Sequence, residues 1–398
     1  MHPASKAARK SLRSTLAATA ALGLLALAPC LASAPAQAQD QSQAPDAGGA
    51  GANASGLTGD TLVLDAVANA VDDAIRPGYQ AFDDAVREQA FMLETLCSDP
   101  TKENLQSAQE NFGGLVSAFS KIEFVRFGPI REDNRLERIL FFPDPRGVMA
   151  KQVQAILKDQ ADNALHAETL AEKSVAVQGL PALQYVLFGD GSDDLATESG
   201  AYRCSYGKAI AANLSSISTA LVEEWGDETG ISERLMEPAE DDPVYRTASD
   251  SLGAIVSIFT EGLEIVADQR LSPPLSAEDG ADAPAKPNLF LFGASDNALT
   301  ALQGDFEGLQ QLFEAVDFPA VLPADKQFLG PSIELEFTQI GSNLDAVETP
   351  LSEAVADADS LGKLGYVLIA TRSLRSQFTD QLAPALGLAS GFSSLDGD

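Results

Sequence analysis

The chain has 398 residues, with 26 basic and 58 acidic side chains and a formal net charge of −32. Such an acidic chain argues against a nucleic-acid-binding protein, because phosphate backbones recruit basic surfaces. The only histidines are His2 and His166, which excludes a metal site or catalytic centre built on several histidines. The hydrophobic content of 45% is that of a globular protein, and the length suits two or three domains of roughly 100–200 residues each.

The first 38 residues have the organisation of a secretory signal peptide. Four basic residues and no acidic ones precede an apolar run from about Leu16 to Leu27, and the small-residue sequence Ala36-Gln37-Ala38 follows. The apolar run is shorter than the roughly 20 residues that a membrane span requires. Cys30 offers a lipoprotein alternative, but it follows Pro29, where lipoprotein signals have a small residue. We predict cleavage after Ala38 and a periplasmic mature chain without a transmembrane span.

Cleavage at this point would remove four basic residues and no acidic ones, which leaves 22 basic and 58 acidic side chains and a net charge of −36. The mature chain keeps two cysteines, Cys97 and Cys204. In an oxidising compartment an even pair is most simply a disulfide, and two buried free thiols are the alternative. Residues 39–60 are mainly Gly, Ala, Ser and Gln with little apolar surface to bury, so we predict a flexible leader there.

From residue 61 onward the apolar residues recur at helical spacing. The first stripe consists of Tyr79, Phe82, Val86, Ala90 and Leu93, in steps of three and four residues. Similar stripes run from Leu105 to Ile122, Leu252 to Val266, Leu302 to Val316 and Phe337 to Leu351. This pattern predicts amphipathic helices packed in bundles. Sustained alternation of period two is missing from the sequence, so we predict an all-α fold of up-down helices.

The positions of proline and glycine suggest how these helices are grouped. The helical region at 61–390 is predicted to form two helical-bundle lobes, at about 61–235 and 240–390. Within the second lobe, residues 271–288 are rich in Pro and Ala and predict a surface linker.

A group of arginines stands out in so acidic a chain. Five of them lie within 21 residues: Arg126, Arg131, Arg135, Arg138 and Arg146. Guanidinium groups pair bidentately with carboxylates, so one interpretation is an internal ion-pair network with Glu123, Glu132, Asp133 and Glu137. The other is a site for an anion or a substrate carboxylate. The candidate residues of this arginine block are Glu123, Arg126, Arg131, Asp133, Asn134 and Arg135.

Several short blocks, in order along the chain, resemble the imelysin family of exported proteins of bacterial envelopes. They are the region of Cys97, F-G-P-I-R-E-D-N-R at 127–135, G-L-P-A-L-Q-Y at 179–185, Arg203-Cys204, and G-F-S-S-L-D-G-D at 391–398. The resemblance extends from about residue 62 to the C-terminus. It implies an imelysin-like domain of two helical-bundle lobes, and a link to iron-regulated expression and iron-uptake loci.

Some imelysin-like proteins are classed as metallopeptidases, and a G-x-H-x-x-E motif is proposed as their metal site. His and Glu at this spacing share one helix face and could hold a divalent cation. The matching residues here are Gly179, Pro181 and Gln184, of which Pro181 has no ligand atom and Gln184 has only a neutral amide oxygen. We therefore expect no metal and no catalytic residue at this motif, and a structural role for Gly179 and Pro181 at the start of a helix.

The sequence thus favours a non-catalytic periplasmic binding protein associated with iron uptake or metal homeostasis. Its ligand would lie between the lobes or beside the arginine block, and its expected partners are iron-uptake components of the envelope. No cofactor is predicted, although iron or another divalent cation stays open as a ligand, because carboxylate oxygens coordinate hard cations without histidine. The alternatives are a metallopeptidase of imelysin type, and an interaction scaffold whose leader reaches a membrane-bound partner.

Overall fold

The computed structural model describes residues 51–277 and 283–388, and this part of the chain is helical without a β-strand. The all-α prediction is confirmed. Outside the described residues lie the predicted signal peptide with Cys30, the predicted leader as far as residue 50, and the C-terminal block 391–398. Among the helices of the described ranges, none combines the length and the hydrophobicity that a membrane span requires.

The α-helices of the first half are α1 (Gly51–Asn69), α2 (Arg76–Ser98), α3 (Lys102–Ser120), α4 (Arg135–Ile139), α5 (Val148–Asp159), α6 (Ala167–Ala171), α7 (Leu180–Phe188), α8 (Ala201–Gly226) and α9 (Ile231–Met236). Those of the second half are α10 (Ala248–Ile265), α11 (Ser272–Leu275), α12 (Ala298–Val316), α13 (Phe318–Val321), α14 (Leu329–Asp345), α15 (Leu351–Ala354), α16 (Ala358–Ser376) and α17 (Ala383–Ala385). The π-helical turns Ala70–Ile75, Val266–Leu271 and Gln377–Leu382 connect α1 to α2, α10 to α11, and α16 to α17. Short 3-10 turns include Gly128–Asn134 and Gly293–Ser295.

Helix α2 is central to a first group of helices, because it packs against both α3 and α8. The apolar stripe predicted from the sequence makes this contact: Tyr79, Phe82, Val86 and Leu93 are buried, and Ala90 is partly buried. Cys97 and Cys204 form a disulfide that joins the end of α2 to the start of α8, with their Cα atoms 5.7 Å apart.

A second group consists of α10, α12, α14 and α16. Its core contains the buried rings of Phe259, Phe313, Phe318, Phe337 and Phe378, and the rings of Phe259 and Phe378 stack with centroids 4.5 Å apart. Helix α3 packs against α12 and α1 against α10, so the described residues belong to one compact unit with a shared core. The division into lobes at about 235–240 stays a prediction.

The start of helix α1 lies within the segment that was predicted to be a flexible leader. It begins at Gly51, so the last ten residues of the segment 39–60 are helical rather than flexible. Buried Ala66 and Val67 anchor α1 in the core, and it packs against α10. Once such a turn is fixed, each further residue adds a backbone hydrogen bond, so the helix extends toward the N-terminus through a segment of low apolar content.

The structure also departs from the prediction at the start of the segment 271–288, which was predicted to be a surface linker. Leu271 ends a π-helical turn, Ser272 and Pro274 lie in α11, and all three are buried. The reason is that the apolar stripe of α10 continues through Val266 to Leu271, which carries the following residues into the core. Residues 278–282 of this segment lie outside the described part of the chain.

Candidate functional site

Helix α7 begins directly after Gly179, at the sequence motif. Gly179 has a φ of +84°, in the region that favours glycine. A Cβ atom at this position would lie 2.3 Å from the carbonyl oxygen of Arg138 and 2.4 Å from that of Ile139. Pro181 lies in the first turn of α7, where its missing N–H leaves no intrahelical bond unmade. Gly179 and Pro181 therefore shape the start of this helix.

Gln184 lies one turn further along α7 and is 7% exposed. Its Nε2 donates a hydrogen bond to Ser295 Oγ at 3.0 Å, and Ser295 Oγ donates to the carbonyl oxygen of Phe292 at 3.0 Å. Ser295 belongs to the 3-10 turn Gly293–Ser295, shortly before α12. The side chain of Gln184 thus fastens α7 to the segment that leads into α12.

A network of amide side chains lies beside Gly179. Arg138 Nε donates to Gln178 Oε1 at 3.1 Å, and its Nη2 donates to Asn213 Oδ1 at 2.7 Å. Asn213 Nδ2 completes the triangle with a bond to Gln178 Oε1 at 2.9 Å. Burial lowers the pKa of the Arg138 guanidinium, and the negative charge of Asp133 partly offsets this. Neutral amides hold Arg138, so it takes no part in an acid–arginine network.

Arg135 has a distant partner. Its Nη1 and Nη2 each donate to Glu224 of α8 at 2.7 Å, and these hydrogen bonds raise the pKa of the Arg135 guanidinium. Within the described residues, no ion pair joins an arginine of the block to Glu132, Asp133 or Glu137. The charges of Glu132 and Asp133 also raise the pKa of Arg135, and the predicted network with these acids stays a prediction.

The chain direction explains this outcome. Asp133 and Asn134 both have left-handed backbone conformations, with φ of 50° and 54°. These two residues end the 3-10 turn and redirect the chain into α4. Arg131, Asp133 and Asn134 are exposed as a result, while Arg135 reaches back to α8.

Glu123 does enter an ion pair, with an arginine from outside the block. Arg270 Nη2 donates to both carboxylate oxygens of Glu123, at 2.8 and 2.9 Å, and the exposed fractions of Glu123 and Arg270 are 5% and 3%. Arg270 lies in the π-helical turn Val266–Leu271, and such turns are frequent at functional sites. Its Cζ lies 4.7 Å from the centroid of the Phe142 ring, within the range of a cation–π contact. Nε and Nη1 of Arg270 are buried without a hydrogen-bond partner.

Asp305 of α12 is a second buried acid at this place and is 1% exposed. Neither of its carboxylate oxygens accepts a hydrogen bond from a neighbouring N–H or O–H donor, and its carboxyl group forms a hydrogen bond with that of Glu123. Burial raises the pKa of Asp305 well above its ordinary value, and the negative charge of Glu123 raises it further. The positive charges of Arg270 and Arg126 act in the opposite direction. Together these effects keep Asp305 protonated to a higher pH than an ordinary aspartate.

Arg126 is the fourth member of this group, and it alone is partly exposed. Its Nε donates to the backbone carbonyl of Glu123 at 3.2 Å. Burial lowers the pKa of the Arg126 guanidinium, and the charge of Glu123 partly offsets that effect. We call Glu123, Arg126, Arg270 and Asp305 the charged cluster.

The charged cluster lies where the two groups of helices meet. Glu123 and Arg126 follow the end of α3, and Asp305 lies on α12, which packs against α3. Two glycines permit this approach. A Cβ atom at Gly304 would lie 2.8 Å from the Cβ of Ser120, and one at Gly308 would lie 2.1 Å from the carbonyl oxygen of Lys121. Larger residues at these positions would push α12 away from the segment that carries Glu123.

A pocket of about 280 Å³ is lined by residues that include sequence neighbours of Glu123 and Arg126. Residues of the π-helical turn Ala70–Ile75, α2, α3 and α12 line it, together with Ile122, Phe124 and Val125. Most of the lining is apolar, and the four members of the charged cluster do not contribute to it. The pocket and the cluster are therefore separate features.

Comparison with known proteins decides the family. The Imelysin family model, Peptidase M75, matches residues 75–376, about three quarters of the chain. The chain belongs to the imelysin family. No curated protein matches it. The family predicted from the short sequence blocks is confirmed.

Two solved structures share the fold of this imelysin-family chain. An imelysin-like protein from Psychrobacter arcticum 273-4 has a TM-score of 0.69 and 18% sequence identity, over 84% of this chain and 98% of that one. A protein from Parabacteroides distasonis ATCC 8503, named an iron-regulated protein A precursor, has a TM-score of 0.63 and 12% identity, over 80% and 96% of the two chains. At such low identity these likenesses bear on the fold alone.

The imelysin motif of this chain does not fit a metal ion. Structural and catalytic metal sites need three or four nitrogen, sulfur or oxygen ligands, and hard cations such as calcium take six or more oxygens. Pro181 supplies no ligand atom, and Gln184 supplies one neutral oxygen while its amide nitrogen is bonded to Ser295. Within residues 51–277 and 283–388, no group of three or more His, Cys, Asp and Glu side chains is placed to hold a metal ion.

Arg270 and Asp305 are the members of the charged cluster that were not predicted from the sequence. Both carry a signal in the apolar stripes of this imelysin-family chain. Arg270 follows Val266 by four residues, at the next position of its stripe, and Asp305 lies three residues after Leu302 in the stripe of α12. A charge at a stripe position is buried and needs compensation, so such a residue is a candidate for a site.

Proposed function

We propose that this chain is an exported, non-catalytic binding protein of the imelysin family that acts in iron uptake or metal homeostasis, with the charged cluster as its binding site. One observation carries the proposal: Nε and Nη1 of Arg270 are buried and have no hydrogen-bond partner. Buried polar groups are nearly always hydrogen-bonded, so each exception calls for an explanation. Ionisable groups with strongly perturbed pKa values concentrate at functional sites.

Family membership supports the role in iron uptake or metal homeostasis, and so does the name of the structural neighbour from Parabacteroides distasonis, an iron-regulated protein A precursor. The signal-like organisation of residues 1–38 supports export to the periplasm, and a disulfide between Cys97 and Cys204 suits an oxidising compartment. The net charge of −36 predicted for the mature chain would attract cationic partners in a salt-dependent way. The expected partners are iron-uptake components of the envelope.

Growth under iron limitation tests this function. We expect deletion of the gene in its own bacterium to slow growth when a chelator withholds iron, and the wild-type gene to restore it. The Arg126→Gln variant should fail to restore growth although it is exported, whereas Arg131→Gln, an exposed arginine of the same block, should succeed. A deletion strain that grows like its parent at every chelator concentration would remove the proposed role.

The metallopeptidase alternative has a separate test. It requires metal at about one ion per chain and peptide cleavage that a chelator abolishes. We expect neither in the wild-type mature chain, and no free thiol at Cys97 or Cys204. The double variant Pro181→His with Gln184→Glu is the matched comparison, and bound zinc or iron in that variant alone would show that this chain has lost the family site. Stoichiometric metal in the wild-type chain, with chelator-sensitive cleavage, would favour the peptidase.

A further inference from the structure

We infer that the charged cluster binds a small oxyanion, a carboxylate or phosphate group, through the guanidinium groups of Arg126 and Arg270. The inference rests on the proposed function, because it names the ligand class of the same site. It does not depend on iron.

The charged cluster holds hydrogen-bond donors that lack acceptors. Arg270 uses Nη2 for Glu123, while its Nε and Nη1 are buried without an acceptor. Arg126 bonds through Nε to a backbone carbonyl. Guanidinium groups carry donors only, and their planar fork matches the geometry of carboxylate and phosphate. A ligand that satisfies these N–H groups must therefore present acceptor oxygens.

The charges of the cluster also favour an anion. If Asp305 is neutral, Glu123 balances Arg270 and the positive charge of Arg126 remains. Glu261 is a further acid that interacts electrostatically with Arg126. It is only partly buried, so water and salt screen its charge more than they screen the charges of the buried members.

The two guanidinium groups also determine which ligands can bind and where they enter. Two guanidinium groups repel a bare metal cation, so an iron ion would reach the charged cluster only within an anionic complex. Arg126 is the partly exposed member of the cluster, and the partly exposed ring of Phe142 lies against Arg270. A ligand would therefore enter beside Arg126, and Arg126 is the residue whose replacement tests binding without disturbing the buried pair of Glu123 and Arg270.

Calorimetric titration of the full mature chain tests the inference, with citrate and inorganic phosphate as separate probes. We expect saturable binding of at least one probe at one site per chain. Arg126→Gln should weaken it by about tenfold to a hundredfold, as loss of a charge-assisted hydrogen bond does. Arg131→Gln, the exposed control, should bind within about twofold of the wild type, since surface substitutions away from a site have small effects. Tighter binding of citrate would point to a carboxylate ligand, and tighter binding of phosphate to a phosphate ligand.

Two results would overturn the inference: no saturable binding of either probe, or equal weakening by Arg126→Gln and Arg131→Gln. If Arg126→Gln fails to fold, Arg126→Lys replaces it, because lysine keeps the charge and loses the fork; binding as tight as that of the wild type would then overturn the inference. Anion binding that persists while the growth test fails would remove the iron role alone. Normal complementation without anion binding would remove only the ligand class.

Discussion

The start of α7 and the charged cluster both place polar side chains in the core, with different results. At the start of α7, Gln184 donates to Ser295, and Arg138 donates to Gln178 and Asn213. In the charged cluster, two nitrogens of Arg270 are buried without partners. The region that matches the family motif is packed and hydrogen-bonded, while the unpartnered nitrogens of Arg270 lie 91 residues after Gly179. In this chain the motif is thus a poor guide to the site.

The largest effect should follow removal of the buried cation. We expect Arg270→Met to lower the free energy of unfolding by about 3–5 kcal/mol, because it leaves Glu123 buried without its ion-pair partner. Urea unfolding followed by circular dichroism measures this difference. The exposed Arg131→Met is the matched control and should stay within about 0.5 kcal/mol of the wild type. A loss under about 1 kcal/mol for Arg270→Met would mean that solvent reaches the cluster. The cluster would then not differ from the start of α7 in the way described.

Gly179→Ala tests the other region. A Cβ atom there meets two carbonyl oxygens, and the positive φ is unfavourable for alanine, so we expect a loss of about 2–4 kcal/mol in the free energy of unfolding. Gly253 of α10 has open space at its Cβ position, so Gly253→Ala should instead stabilise by up to about 1 kcal/mol. Equal effects of the two variants in urea unfolding would show that the start of α7 is less tightly packed than the distances indicate.

The pH dependence of the stability of Asp305→Asn tests how tightly Asp305 holds its proton in the folded chain. The pKa of Asp305 is raised in the folded chain, so the folded state binds this proton more tightly than the unfolded state. The stability from this proton is present below the ordinary pKa of 3.8 and is lost as the pH rises toward the folded-state pKa.

We therefore expect Asp305→Asn to gain stability relative to the wild type as the pH rises above about 4, by up to about 1.4 kcal/mol per pH unit. Urea unfolding of both proteins over a pH series measures the difference, in which the other titrating groups cancel. A flat difference would show that Asp305 is ionised in the folded chain as readily as in the unfolded one.

The smallest effect should come from the contact of Gln184. Ser295→Ala removes the acceptor of its Nε2, and we expect a loss of about 0.5–1.5 kcal/mol, the contribution of an ordinary hydrogen bond. Ser332, an exposed serine of α14, provides the control Ser332→Ala with a change near zero. A cost above about 3 kcal/mol would place strain at the motif as well and remove the contrast between the two regions.

Much of the helical architecture is predictable from the sequence, because helices follow from local spacing. Four of the five residues in the stripe Tyr79 to Leu93 are buried as the period requires. The extent of α1 is not predictable in this way, since residues 51–60 contain little apolar surface and owe their helix to burial further along. Of the predicted site residues, Glu123 and Arg126 meet in the charged cluster, whereas Arg131, Asp133 and Asn134 are exposed.

The amino-acid sequence alone determined the helical period, the family and the replacement of the motif's His and Glu by Pro181 and Gln184. Each of these depends only on residues that are close neighbours along the chain. Only the tertiary structure decided which charges meet. Glu123 and Arg270 are separated by 147 residues, and Arg135 and Glu224 by 89. The partner of a buried charge depends on which helices pack together, and close packing at Gly304 and Gly308 brings Asp305 to Glu123.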